Sequence, residues 1–200
     1  MAETPMSAAP VEATAEPIPL RFFGDQMLRR VCEPVTDITG DIIELAERML
    51  VTMQVEEGVG LAGPQVGRTL RIFTHALPDL APPVLINPEI VDLHGEWSYS
   101  EGCLSIPGMH YELVRPGTVH LRAWTIEGEE VEIEADELLA RVLQHENDHL
   151  DGVLFVDRLT GAARAEATDI LAARVAGTLG TSDPLLTGRA IPGLRKPRSA

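Results

Sequence analysis

Residues 144–149 read Gln-His-Glu-Asn-Asp-His, and this hexapeptide lies inside a segment with helical patterning. Residues i and i+4 share one face of a helix, so His145 and His149 can both reach one metal ion. Glu146 lies next to that face, where its carboxylate can contact a water molecule. The alternative interpretation is a polar helix face with two solvated histidines. The helix itself is predicted by a candidate N-cap, Asp136, followed by apolar residues at helical spacing: Leu138, Leu139, Val142 and Leu143.

The patterns outside this helix favour an α+β fold. Helical spacing recurs at 41–58 and at 160–177, the second segment being the C-terminal helix. Residues 124–134 alternate about a glycine and predict a hairpin with an exposed acidic face. Further strands are predicted at 70–74, 84–86, 119–123 and 131–133. Because the strands cluster before a late helix, we expect mixed or antiparallel sheets packed around a central helix that carries the two histidines.

Length and composition predict one globular domain between two polar ends. The chain has 200 residues, of which 44% are hydrophobic and 24% are charged. We expect a disordered arm at 1–17, a folded body at 18–180 and a basic flexible tail at 181–200. No segment is long and apolar enough to predict a membrane span, so no membrane partner is expected.

Charge and cysteine content indicate the partners and the compartment. The formal net charge of −15 argues against nucleic acid as a direct substrate. The last twenty residues reverse that sign, with four basic side chains against one acidic side chain. This reversal motivates the hypothesis that the tail holds the chain near ribosomal RNA. Two distant cysteines without a secretory signal predict a reducing, cytoplasmic location.

Two histidines leave a catalytic metal site one ligand short, because such sites usually have three protein ligands. Cys103, within Glu101-Gly102-Cys103-Leu104-Ser105, is a candidate, although a lone cysteine is more often a small buried hydrophobic residue. The segment 58–67 is rich in glycine but lacks the Lys-Ser/Thr of a phosphate-binding loop. It is either a simple connection after the first helix or a backbone that approaches a ligand closely.

Together, the segments 58–65, 101–105 and 144–149 resemble the three motifs of the peptide deformylases, in the same order. The resemblance covers about 21–158. It includes the sequence Asp-Gln-Met-Leu-Arg at 25–29 and Val-Arg-Pro at 114–116. One departure is Gly63, where many family members have alanine, and it removes no functional group.

The resemblance implies a metal-dependent hydrolase that removes the formyl group from formyl-methionine of nascent polypeptides and releases formate. It implies Cys103, His145 and His149 as metal ligands, with Fe²⁺ as the physiological ion and Zn²⁺ or Ni²⁺ as replacements. Within this scheme, Glu146 is the general base. The remaining implied residues fall into three groups: oxyanion donors (Gln65 side chain, Leu104 N–H), substrate contacts (Val59, Gly60, Gly102, Leu138, Val142) and an ion pair that orients the cysteine segment (Glu101, Arg115).

Two other interpretations of the sequence remain. A metallopeptidase uses the same His-Glu-x-x-His helix, but its third ligand is usually histidine or glutamate. A non-catalytic binding module stabilised by metal needs the ligands but neither Glu146 nor Gln65, and both are present.

Overall fold

The computed structural model describes residues 15–77, 80 and 82–177. Three 3-10 turns (Gln26–Arg29, Gly63–Val66 and Phe155–Arg158) join the longer elements. The helices are α1 (Gly40–Val55), α2 (Glu137–Leu150) and α3 (Gly161–Val175). The strands are β1 (Gly60–Ala62), β2 (Ile72–His75), β3 (Val84–His94), β4 (Trp97–Cys103), β5 (Ile106–Arg115), β6 (Thr118–Trp124) and β7 (Glu130–Asp136).

The strands form two antiparallel sheets. The larger sheet has the order β1-β2-β3-β6-β7, and the smaller is the β4–β5 hairpin. With three helices beside these sheets, the predicted α+β class is confirmed. The predicted hairpin is also confirmed, because β6 pairs with β7 from Thr118↔Asp136 to Trp124↔Glu130.

Helix α2 packs across the larger sheet, and this packing fixes the position of the His-Glu-x-x-His motif. It contacts β1, β2, β3, β6 and β7. The apolar side of the helix, with Ala140, Leu143 and Leu150, lies in one core cluster with Phe73 and Leu121 of the sheet. A sheet face and a helix stripe bury each other in this way in most two-layer folds. The opposite side of α2 faces the β4–β5 hairpin.

Two further clusters hold the outer elements. Helix α1 packs its buried side, including Met49 and Met53, against Ile72 and Ile86 of the larger sheet. Helix α3 buries Leu171 in a cluster with β5 and the last 3-10 turn. The acidic face of the β6–β7 hairpin is exposed to solvent, as the sequence predicts.

The helix predictions are confirmed to within a few residues, whereas three strands were missed. β1 lies inside the glycine-rich segment that was interpreted either as a connection or as a backbone close to a ligand, and it pairs with β2 through Gly60↔His75 and Ala62↔Phe73. β4 and β5 were also missed because serine, glycine and proline interrupt their β-branched patterning. The hairpin they form carries Cys103 at the end of β4.

The terminal predictions lie mostly outside the described residues. The described residues do not include positions 1–14 of the predicted arm or any of the predicted basic tail at 181–200. At the start of the described chain, Glu16 O accepts a hydrogen bond from Arg48 Nε at 3.1 Å. None of the helices within the described ranges is long and apolar enough to cross a membrane.

Candidate metal centre

Three buried side chains from two elements converge at the edge of α2. Cys103 ends β4, while His145 and His149 lie one turn apart on α2. Their ligand atoms all lie within 4.8 Å of one another. Sγ of Cys103 is 3.3 Å from Nε2 of His149, close to the roughly 3.5 Å that separates sulfur and nitrogen ligands around a tetrahedral zinc ion.

The donor set fits a divalent transition metal. A thiolate with two imidazoles suits zinc, iron and nickel, whereas magnesium and calcium prefer oxygen ligands. Burial lowers the pKa of His149 well below its ordinary value, which favours the neutral imidazole that can bind a metal. Nδ1 of His145 is hydrogen-bonded to Oε1 of Glu101 at 2.6 Å, which leaves Nε2 as the candidate ligand nitrogen.

Glu146 lies beside this cluster and is almost fully buried, at 3% exposure. Within the part of the chain that the structure describes, its Oε2 has no hydrogen-bond partner. Burial raises the pKa of Glu146 to about 7, and the nearby charge of His145 opposes that rise. A buried carboxylate oxygen without a protein partner is available for a water molecule or a substrate proton.

Gln65 approaches the cluster from the 3-10 turn after β1. Its Oε1 accepts a hydrogen bond from the N–H of Ala62 at 2.8 Å, and the Nε2 end of the amide therefore points toward the cluster. Its Nε2 lies 3.6 Å from Sγ of Cys103 and 3.2 Å from Oγ of Ser105. The side chain therefore presents an N–H donor next to the candidate ligand sulfur. Leu104, the other implied donor, is the first residue of the β4–β5 turn.

Glu101 and Arg115 form the ion pair that the resemblance implies. Arg115 binds both carboxylate oxygens, through Nε at 2.8 Å and Nη2 at 2.6 Å. Burial alone would raise the pKa of Glu101, but hydrogen bonds from His145 and Arg115 outweigh it and hold that pKa far below its usual range. The carboxylate is therefore ionised while it orients His145.

The implied substrate contacts are distributed around the cluster. Leu138 and Val142 precede His145 on α2 by seven and three residues and so lie near its face. Val142 is buried, whereas Leu138 and Val59 are about two-fifths exposed. Gly60 approaches Glu146 so closely that it leaves no room for a β-carbon. Gly102 immediately precedes Cys103 and pairs with His110 across the hairpin.

Three residues that sequence reasoning missed hold this arrangement together. Ser105 Oγ accepts a hydrogen bond from Nε2 of Gln65, and the Asp148 carboxylate accepts one from Nη1 of Arg115 at 2.7 Å. Arg141 donates to Oε2 of Glu101 at 2.7 Å. Helix spacing in the sequence could have identified Asp148 and Arg141, because they lie three and four residues from His145 and so share its helix face.

Comparison with known proteins identifies the family. The family model described as polypeptide deformylase matches residues 18–165. The chain belongs to the polypeptide deformylase family. A peptide deformylase of Clostridium botulinum is 49% identical over 141 residues, which are 70% of this chain and 95% of the relative. A peptide deformylase of Chlorobium limicola is 41% identical over 84% of this chain and 95% of the relative.

Solved structures of deformylases have the same fold. The Thermus thermophilus enzyme has 39% identity and a TM-score of 0.75, covering 80% of this chain and 96% of that structure. A Synechococcus elongatus peptide deformylase, solved in complex with actinonin, has 40% identity and a TM-score of 0.73. The match covers 78% of this chain and 89% of that structure. The chain is thus an enzyme of this family, a hydrolase that removes the N-terminal formyl group from nascent polypeptides.

Proposed function

We propose that this chain hydrolyses the formamide bond of formyl-methionine peptides at a metal held by Cys103, His145 and His149. The observation that carries the proposal is the convergence of these three side chains within 4.8 Å, with Glu146 beside them. A bound divalent ion supplies acidification of water and stabilisation of negative charge. We propose Fe²⁺ as the physiological ion, with Zn²⁺ or Ni²⁺ as replacements.

Glu146 moves the proton in this scheme. Its Oε2 is free of protein partners within the described chain, so it can accept the proton of the attacking water. The same carboxyl group then returns the proton to the leaving amine, so that formate and a free N-terminus result. General acid–base catalysis of this kind is worth about 10²–10⁴ in rate.

The chain also supplies donors to the oxygen that gains negative charge. The Gln65 amide is held from both ends, by Ala62 N–H on its oxygen and by Ser105 on its nitrogen, so it cannot rotate freely. With the N–H of Leu104 it forms the proposed oxyanion site. One such donor is worth about 3–4 kcal/mol in the transition state.

The methionine side chain of the substrate is proposed to lie against Leu138 and Val142, with Val59 and Gly102 completing the pocket. Leu138 and Val59 are about two-fifths exposed and Val142 is buried, so together they offer the apolar surface that a thioether chain needs. The backbone of Val59 and Gly60 is proposed to pair with the peptide as an added strand, because Gly60 begins β1, the outermost strand of the larger sheet, and Val59 directly precedes it.

Two proposals concern the chain outside the metal centre. The domain is proposed to comprise 18–180, between a disordered arm at 1–17 and a basic tail at 181–200 that associates with the ribosome in the cytoplasm. Deletion of 181–200 should reduce pelleting with ribosomes at low salt and leave turnover of short peptides unchanged. Equal pelleting of both proteins would refute the role of the tail.

Formate release separates this function from that of a metallopeptidase. The zinc-, nickel- and anaerobically prepared iron-loaded enzymes are each incubated with formyl-Met-Ala-Ser and with unformylated Met-Ala-Ser. We expect formate and intact Met-Ala-Ser from the first peptide and no cleavage of the second. Cleavage of either peptide between residues, without formate, would identify a peptidase instead.

A further inference from the structure

Every acceptor position of Glu101 is used. Its Oε1 accepts from Nη2 of Arg115 and Nδ1 of His145, both at 2.6 Å. Its Oε2 accepts from Nε of Arg115 at 2.8 Å and Nη1 of Arg141 at 2.7 Å. An ionised carboxylate has about four lone-pair sites. Glu101 is therefore held by two arginines while it orients one candidate ligand.

Arg141 ties together the two elements that carry the ligands. It lies on α2, four residues before His145, and is only 3% exposed. Its Nη2 donates to Trp97 O at 2.7 Å on β4 and to Leu113 O at 2.9 Å on β5. Its guanidinium carbon also lies 5.3 Å from the centre of the Trp97 ring. One side chain thus joins the helix of the two histidines to both strands of the cysteine hairpin.

We propose that Arg141 is a positioning residue for the metal centre, acting through Glu101 on His145. Arg115 lies on the same hairpin as Glu101; it binds both carboxylate oxygens and reaches α2 through Asp148. Arg141 adds a contact from the helix of His145 itself, so the carboxylate is fixed relative to the imidazole that it orients. This inference rests on the proposed role of His145 as a ligand.

The arrangement is hard to explain by stability alone. Nε of Arg141 is buried and has no partner among the described residues, which is a cost in free energy. Buried ion pairs can often be replaced by apolar residues with little loss of stability. A residue retained for positioning should instead affect metal retention and turnover, because residues that orient ligands typically contribute 10–100-fold to each.

The test compares Arg141→Met with Arg141→Lys in zinc-loaded enzyme. Lysine keeps a positive charge within reach of Glu101, and methionine keeps only the apolar volume. Arg71→Met is the matched control, since Arg71 also joins α2 to a sheet, through Asn147 at 3.2 Å and Pro88 O at 3.1 Å. The measurements are the rate of zinc release to a chelator, kcat and KM for formyl-Met-Ala-Ser, and thermal stability.

We expect Arg141→Met to release zinc about 10–100-fold faster and to lose kcat with little change in KM. Arg141→Lys should recover most of both losses, and Arg71→Met should match the wild type in zinc release. Zinc release from Arg141→Met at the wild-type rate would overturn the inference, and so would failure of lysine to rescue. If the methionine variant does not fold, Arg141→Gln replaces it with the same expectation.

A second background tests whether Arg141 acts through Glu101. In Glu101→Gln enzyme, adding Arg141→Met should change zinc release no further, and an additional tenfold change would refute the coupling. His145→Ala separates this inference from the proposed function. If His145→Ala retains zinc, the proposed ligand set is wrong. If it loses zinc while Arg141→Met retains it normally, only the role of Arg141 is wrong.

Discussion

Gly60 leaves the space that the carboxyl group of Glu146 occupies. A β-carbon at position 60 would lie 2.7 Å from Cδ of Glu146, a separation that real side chains do not tolerate. Gly60 is fixed in β1 by its pairing with His75, so it cannot retreat without disturbing the edge of the sheet. The position of the proposed general base therefore depends on a missing side chain on a neighbouring strand.

The substitution Gly60→Ala should displace the Glu146 carboxylate and reduce formate release at least tenfold. Because Glu146 is not a ligand in this account, zinc content should remain at one ion per chain. Gly40→Ala is the control, since among the described residues no heavy atom beyond its chain neighbours and its own helix backbone lies within 4 Å of a β-carbon there. Activity of Gly60→Ala equal to that of Gly40→Ala would contradict the close approach.

Metal removal should change the reactivity of one cysteine and not the other. Zinc should protect Cys103 from iodoacetamide, and chelation should expose its thiol to alkylation while abolishing activity. Cys32 should remain unmodified in both states at pH 8, because burial raises the pKa of its thiol to about 11. Peptide mass spectrometry measures both sites. Alkylation of Cys103 that is independent of zinc would argue against its role as a ligand.

The buried His75 should make the enzyme less stable in mild acid. Its Nε2 donates to Pro82 O at 2.9 Å and its Nδ1 accepts from Leu77 N–H at 3.4 Å, so the neutral ring is satisfied. Burial lowers its pKa, and the hydrogen bond to Pro82 opposes this only in part. The folded state thus binds this proton less readily than the unfolded state, and the stability present above about pH 6.5 is lost as the pH falls.

Urea unfolding at pH 7.5 and pH 5.5 measures this dependence. The difference in free energy of unfolding between the two values should be smaller for His75→Gln than for the wild type. His94→Gln is the control, because the His94 side chain is 74% exposed. An identical difference in all three proteins would show that His75 does not contribute to the acid sensitivity.

The helices were predictable because their signals are local. The apolar spacing before Gln144 and the preceding Asp136 bounded α2 almost to the residue. The strands of the β4–β5 hairpin were not predictable in this way, since they are held by pairing with each other rather than by their own β-branched content.

The residues of the candidate site also differ in how far the sequence alone predicts them. The shared placement of residues within one motif, such as His145, Glu146 and His149, follows from helix geometry. The geometry of Gln65 and Cys103 depends on how separate elements meet; the need for a third ligand made Cys103 a candidate, and the order of the motifs then indicated both residues. Helix spacing places Arg141 on the face of His145, but the partners of Arg141 and of Ser105 depend on which side chains of other elements lie opposite them, and no pattern in one sequence reports that.

The proposed role of Glu146 is to move the proton without holding the metal. Formate release from formyl-Met-Ala-Ser is measured with Glu146→Gln enzyme whose zinc content is determined in the same sample. We predict one zinc ion per chain, unchanged thermal stability, and a rate lower by about 10²–10⁴-fold. Loss of zinc from the variant would show that Glu146 helps to hold the metal, and retention of both zinc and the wild-type rate would show that Glu146 does not move the proton.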